Sequence, residues 1–116
     1  MGVARDFRES VAYSAGIFGD QVANLFYYHA RQNYSVDPSQ LPQGVDKFDQ
    51  ALRSLLGTGA IVVVRECAKR LAAVLGVRIE RSPDNMSSLY QESLRELQAR
   101  EVGAYTDGLI AHYGSS

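Results

Sequence analysis

The segment AIVVVRECAKRLAAVL runs from Ala60 to Leu75 and determines whether the chain folds as helices alone or includes a strand. Its β-branched run Ile61–Val64 locally favours a strand. Over the longer window, however, apolar residues recur at helical spacing for about four turns, and no strand breaker follows Val64. These apolar positions are Ala60, Val63, Val64, Cys67, Ala68, Leu71, Val74 and Leu75. The stretch therefore predicts a buried helix that ends at Gly76.

The segments on either side show the same helical period. Helices are predicted over 3–15, from Asp20 to near Asn33, over 45–56, and onward from the N-terminal signal Ser82–Pro83. A loop over 35–44, with its prolines and glycine, separates the second helix from the third. We therefore predict an all-α fold, a compact bundle of about five helices, in one domain spanning residues 1–116.

Composition narrows the class of protein. Twelve basic residues face thirteen acidic ones, for a net charge of −1, which argues against general nucleic-acid binding. The single cysteine excludes an internal disulfide framework and a zinc site built on several thiolates. No apolar run is long enough to cross a membrane, and residues 1–6 lack the pattern of a secretory signal. We expect a cytoplasmic protein with Cys67 reduced.

The C-terminal segment has two apolar stripes that go out of phase near Gly103. A continuous helix over 83–113 would be about 45 Å long at ~1.5 Å per residue, and would overhang a globule of this size. We therefore predict a long C-terminal helix that pairs with a second copy in a homodimer. The alternative is a break at Gly103, with the last turns folded back. The candidate interface residues are Leu89, Tyr90, Leu94, Leu97, Tyr105, Leu109 and Tyr113.

Residues 16–78 also carry a pattern of helix lengths, glycines and apolar positions. The stretches concerned are Gly19-Asp20-Gln21-Val22, Phe26-Tyr27-Tyr28-His29, Lys47-Phe48-Asp49-Gln50-Ala51-Leu52, Leu56-Gly57-Thr58-Gly59-Ala60 and Leu75-Gly76-Val77. In this pattern the chain resembles a family of small archaeal domains classed as signal-transduction output domains. The resemblance implies an all-α fold, an archaeal origin and a role in sensing or protein–protein signalling. It implies no catalytic or binding residues.

The densest basic stretch lies within residues 65–81. Its members are candidate anion-binding residues: Arg65, Lys69, Arg70, Arg78 and Arg81. Glu66 and Glu80 offset this charge, and the start of the helix is apolar, unlike a helix that reads DNA bases. A solvated helix face is therefore the favoured interpretation, and a nucleic-acid partner is disfavoured.

No other constellation predicts chemistry. His29 and Cys67 lack a second ligand at i+3 or i+4, so we predict no metal and no cofactor. The turn Gly57-Thr58-Gly59-Ala60 follows a helix and lacks the Lys-Ser or Lys-Thr pair of a phosphate loop. We find no nucleophile with a base and no paired carboxylates in an apolar setting, and we predict that the chain is not an enzyme.

The leading hypothesis is a non-enzymatic, self-associating helical interaction or signalling module with an unidentified protein partner. The alternative is a small-molecule or cofactor-binding sensor with a pocket around Phe26, Tyr27, His29 and Cys67. A nucleic-acid-associated regulator that uses the arginines of residues 65–81 is the third hypothesis.

Overall fold

The valine-rich stretch is helical in the structure, a computed structural model that describes residues 2–79 and 83–114, with side chains as far as residue 100. The helix spans Gly59–Leu75, as predicted. Its neighbouring residues Val63 and Val64 are both only 1% exposed. Successive residues of a strand point to opposite faces, whereas in a helix they lie about 100° apart and can enter the same core. The helix therefore buries both valines on one side.

The described residues form five α-helices and no strand, which confirms the predicted all-α fold. The helices are α1 (Val3–Ala15), α2 (Asp20–Tyr34), α3 (Val45–Leu56), α4 (Gly59–Leu75) and α5 (Met86–Gly114). Short 3-10 turns at Gly16–Phe18 and Pro38–Gln40 join the first three helices. Side chains of α5 are described only as far as residue 100, and the long, continuous C-terminal helix through Gly103 remains a prediction.

Helices α1 and α4 pack side by side and run antiparallel. The Arg70 guanidinium of α4 lies 4.5 Å from the ring centroid of Tyr13 on α1. In the 3-10 turn that follows α1, the Phe18 ring lies beside Gly59 of α4, where a Cβ would be 3.8 Å from Phe18 Cζ. Residue numbers thus rise along one helix as they fall along the other.

Two aromatic pairs make further contacts between helices. Phe26 of α2 and Phe48 of α3 meet edge to face, with centroids 4.8 Å apart. Phe7 of α1 packs in the same way on Tyr90 of α5, at 5.0 Å. Edge-to-face pairs of this kind stabilise a core beyond the area that they bury. The core therefore draws on all five helices.

Glycines end α3 and α4, as the sequence predicts. Gly57 has φ 57° and Gly76 has φ 67°, in the left-handed region that glycine enters without steric penalty. The Arg100 side chain of α5 then caps α4, because its Nη1 donates to the carbonyl oxygens of Leu75 at 3.0 Å and Gly76 at 3.2 Å.

The start of α5 differs from the prediction at Ser82–Pro83. Ser82 is outside the described residues, and the helix begins at Met86. The Met86 and Ser87 amides donate to the Asp49 carboxylate of α3, at 2.7 and 3.0 Å. The Ser88 amide donates to Asn85 Oδ1 at 2.7 Å. These acceptors satisfy the free amides of the first turn, and one of them comes from another helix.

Candidate functional site

Three of the five candidate anion-binding residues line one cleft. Arg65 and Lys69 lie one turn apart on α4, and Arg78 lies in the connector that follows the helix. All three side chains belong to exposed residues. Because i and i+4 positions share a helix face, the sequence spacing alone places Arg65 beside Lys69.

We call this site the α4 cleft. It has a volume of about 370 Å³. Its lining residues are Arg65, Ala68, Lys69, Ala72, Val77, Arg78, Ile79 and Pro83. In the part of the chain that the structure describes, no acidic residue lines the cleft. The cleft therefore combines three positive charges with an apolar floor.

Two alanines give the cleft its depth. Ala68 and Ala72 are one turn apart on α4, directly beside the row formed by Arg65 and Lys69. Methyl side chains leave space next to the helix that larger residues would fill. Ile79 and the buried Pro83 complete the apolar lining. The arrangement can hold a ligand that has an anionic group and an apolar body.

Lys69 has an acidic neighbour on its own helix. Its Nζ lies 3.1 Å from Glu66 Oε1, and the two side chains are 73% and 37% exposed. A solvent-exposed pair of this type is worth only ~0.3–0.5 kcal/mol. Lys69 can therefore leave Glu66 at little cost when a stronger anion enters the cleft.

The other two candidate cations are not part of the described cleft. Arg70 lies on the α1 side of α4, where its guanidinium covers the ring of Tyr13 at 4.5 Å. This cation–π contact could not be read from the basic stretch, since it depends on how α1 packs. Arg81 falls outside the described residues.

The candidate interface residues divide into three groups. Leu89 is fully buried within the chain, and Tyr90 is half-buried against Phe7. Leu94 and Leu97 are half-buried. Tyr105, Leu109 and Tyr113 lie beyond the described side chains. Leu89 and Tyr90 thus stabilise the fold of a single chain, and the self-association itself remains a prediction.

The residues of the alternative sensor pocket lie in or beside the core. Phe26 and Cys67 are at most 2% exposed. Burial raises the pKa of the Cys67 thiol to about 12, so the reactive thiolate is strongly disfavoured at neutral pH. Burial also raises the pKa of Tyr27, and the nearby Cys67 adds to this rise. The sensor pocket remains a prediction.

His29 takes part in a local hydrogen-bond chain. Asn33 Nδ2 donates to His29 Nδ1 at 2.7 Å, which leaves Nε2–H to donate to Ser54 Oγ at 3.3 Å. The chain links α2 to α3. Within residues 2–79 and 83–100, no group of three or more His, Cys, Asp or Glu side chains could hold a metal ion.

Asp49 has a role that sequence reasoning missed. Its position in the first turns of α3 predicts only a favourable interaction with the helix dipole. In the structure its carboxylate accepts the first two amides of α5. Burial raises the pKa of Asp49, while these hydrogen bonds act in the opposite direction. No local signal could reveal this contact, because its partners are 37 and 38 residues away.

Comparisons with models of protein families, with curated proteins and with solved structures found no match. The resemblance to archaeal signalling domains therefore remains a prediction. Among the described helices, none combines the length and apolar character needed to cross a membrane.

Proposed function

We propose that this chain is a non-enzymatic helical interaction module that self-associates through its C-terminal helix. The proposal includes the long, continuous helix through Gly103 that the sequence predicts. The partner at this surface is a second copy of the chain, and a signalling role would follow from control of that association.

The observation that supports the proposal is that the first half of α5 is buried along one face. Met86, Leu89 and Ser93 are fully buried, at positions spaced by three and four residues. They anchor one face of the helix to α1, α3 and α4. The first half of α5 therefore turns a single, well-defined face to the core.

The second apolar stripe follows from the sequence at a different angle. At ~100° per residue, the stripe Val102, Tyr105, Leu109 and Tyr113 would point more than about 90° away from the buried face of Met86–Ser93 in a continuous helix. These apolar side chains would be buried only if another protein surface covered them. A second copy fits because the stripe can pair with itself across a two-fold axis, and tyrosine is favoured at such interfaces.

Sedimentation velocity at micromolar concentration tests the proposal. We expect a species of twice the chain mass of 12.8 kDa. The double substitution Leu109→Lys and Tyr113→Lys should shift it to the monomer. Ala111→Lys adds one lysine to the opposite side of the predicted helix and should leave the dimer intact.

Two results would contradict the proposal. The first is a wild-type chain that sediments as a monomer throughout the micromolar range. The second is an Ala111→Lys variant that dissociates as fully as the double variant, because the charge and not the stripe would then control the association.

A further inference from the structure

We infer that the α4 cleft binds a small organic phosphate whose non-phosphate part is compact and apolar. The inference concerns a different surface from the self-association surface and does not depend on it. It rests on the juxtaposition of Arg65, Lys69 and Arg78 with the apolar floor of Ala68, Ala72 and Ile79.

The charge of the cleft favours phosphate. Within residues 2–79 and 83–100, the lining supplies two guanidinium groups, one ammonium group and no carboxylate. A phosphate monoester carries about −1.5 to −2 charges at neutral pH and presents three strong acceptor oxygens. Guanidinium groups match these oxygens with paired N–H donors, and an ammonium group adds a point charge. A carboxylate, with one charge, would leave more of the positive charge uncompensated.

The floor of the cleft favours an apolar body on the ligand. Ala68 is 8% exposed, and Ala72 and Ile79 are half-buried. A ligand that covers these methyl groups removes apolar surface from water, which stabilises the complex by roughly 25 cal/mol per Å². Inorganic phosphate would reach the cations and gain nothing from the floor.

The size of the cleft favours a small molecule over a polymer. Its volume of about 370 Å³ lies near the lower end of the range typical of ligand pockets, ~300–1,000 Å³. A nucleic-acid surface would need a basic stripe along the molecule, whereas this chain carries a net charge of −1. The cation nearest along the helix, Arg70, is turned towards Tyr13.

Isothermal titration calorimetry with three matched probes tests the inference. Hexyl phosphate has both required groups, hexan-1-ol lacks the phosphate, and inorganic phosphate lacks the apolar chain. We expect saturable binding of hexyl phosphate and at least tenfold weaker binding of the other two. Binding of inorganic phosphate as tight as that of hexyl phosphate would overturn the role of the floor.

Substitutions locate the binding. Arg65→Gln removes a charge-assisted contact and should weaken hexyl phosphate binding at least tenfold. Ala72→Leu fills the floor and should also weaken binding at least tenfold. Arg70→Gln removes one charge from the same helix but outside the cleft, so its affinity should stay within about twofold of the wild type. The factor for Arg65→Gln corresponds to the net contribution of ~1.5–3 kcal/mol for a hydrogen bond to a charged group.

Thermal unfolding accompanies each titration and shows that the variants are folded. Equal affinity of Arg65→Gln and wild type, or equal weakening by Arg70→Gln and Arg65→Gln, would overturn the assignment to this cleft. Saturable sedimentation with phosphatidylcholine vesicles that contain phosphatidic acid, without binding of dissolved hexyl phosphate, would overturn the assignment to a small free molecule. A monomeric chain that binds hexyl phosphate would contradict only the proposed self-association.

Discussion

The two sides of α4 show how one helix divides its residues between stability and recognition. On the core side, Val63, Cys67 and Leu71 are at most 1% exposed. On the cleft side, Arg65 and Lys69 are exposed beside the small residue Ala72. Large apolar side chains on the core side hold the helix in place. The opposite face can therefore have charged side chains and an unfilled cleft without loss of the fold.

The largest expected effect is on the core side. Leu71→Ala should lower the free energy of unfolding by ~2–5 kcal/mol, because it removes buried methyl groups and leaves a cavity. Arg65→Ala, on the cleft side of the same helix, should change it by less than about 0.5 kcal/mol. Urea unfolding followed by circular dichroism measures both. Equal losses would show that the two faces are not different in this way.

Cys67 gives the core side a pH dependence. Burial raises the pKa of its thiol from 9.0 to about 12, so the folded state holds its proton more tightly than the unfolded state. The sign of the linkage is that stability from this group is complete below pH 9.0 and is lost as the pH rises towards 12. The slope is at most ~1.4 kcal/mol per pH unit.

Cys67→Ala is the matched variant for this pH dependence. It lowers stability by a constant amount through its smaller volume, and it removes the titrating thiol. The difference in unfolding free energy between wild type and variant should therefore shrink as the pH is raised from 8 to 10. A difference that stays constant would mean that the native thiol is not protected from ionisation.

Asp49 extends the comparison to a second helix. Asp49→Ala removes the acceptor of the Met86 and Ser87 amides and should destabilise the fold by ~1–3 kcal/mol. Asp46→Ala removes an exposed carboxylate from the same end of α3 and should change stability by less than about 1 kcal/mol. Chemical denaturation compares the two, and a larger loss for Asp46→Ala would refute the capping role of Asp49.

Gly76 tests the end of α4. Gly76→Ala places a Cβ at φ 67°, 3.1 Å from Arg100 Nη1, and should lower stability by ~1–2 kcal/mol. Gly16 has φ −76° and open space around its Cα, so Gly16→Ala should be neutral or slightly stabilising. The melting temperatures of the two variants check this contrast. Equal melting temperatures would show that α4 does not depend on the left-handed turn.

The sequence predicts a helix correctly where the apolar periodicity and the helix-ending residues agree. The bounds of α1, α3 and α4 follow from stripes of apolar residues and from Gly57 and Gly76. The start of α5 does not, because Asp49 supplies acceptors from a distant part of the chain. A Ser–Pro signal is local, and in this chain a tertiary contact determines where the helix begins.

Local spacing likewise predicts only part of the candidate site, because the rest depends on contacts between helices. The spacing of Arg65 and Lys69 predicts that they share one face of α4, and both line the cleft. The separation of Arg70 depends on the neighbouring Tyr13, and periodicity carries no such information. Leu89 is predicted as an interface residue but is buried within the chain. The sequence pattern of an apolar stripe is the same whether the core or a partner covers it.

Backbone ¹³Cα chemical shifts of Ile61–Val64 in solution distinguish a helix from a strand in this valine-rich run. The packed core side and the cleft side of α4 both require this run to be helical. We predict shifts displaced downfield from random-coil values, with medium-range contacts between residues three apart along the chain. Upfield displacement, as in a strand, would contradict the packed face, the cleft and the bundle together.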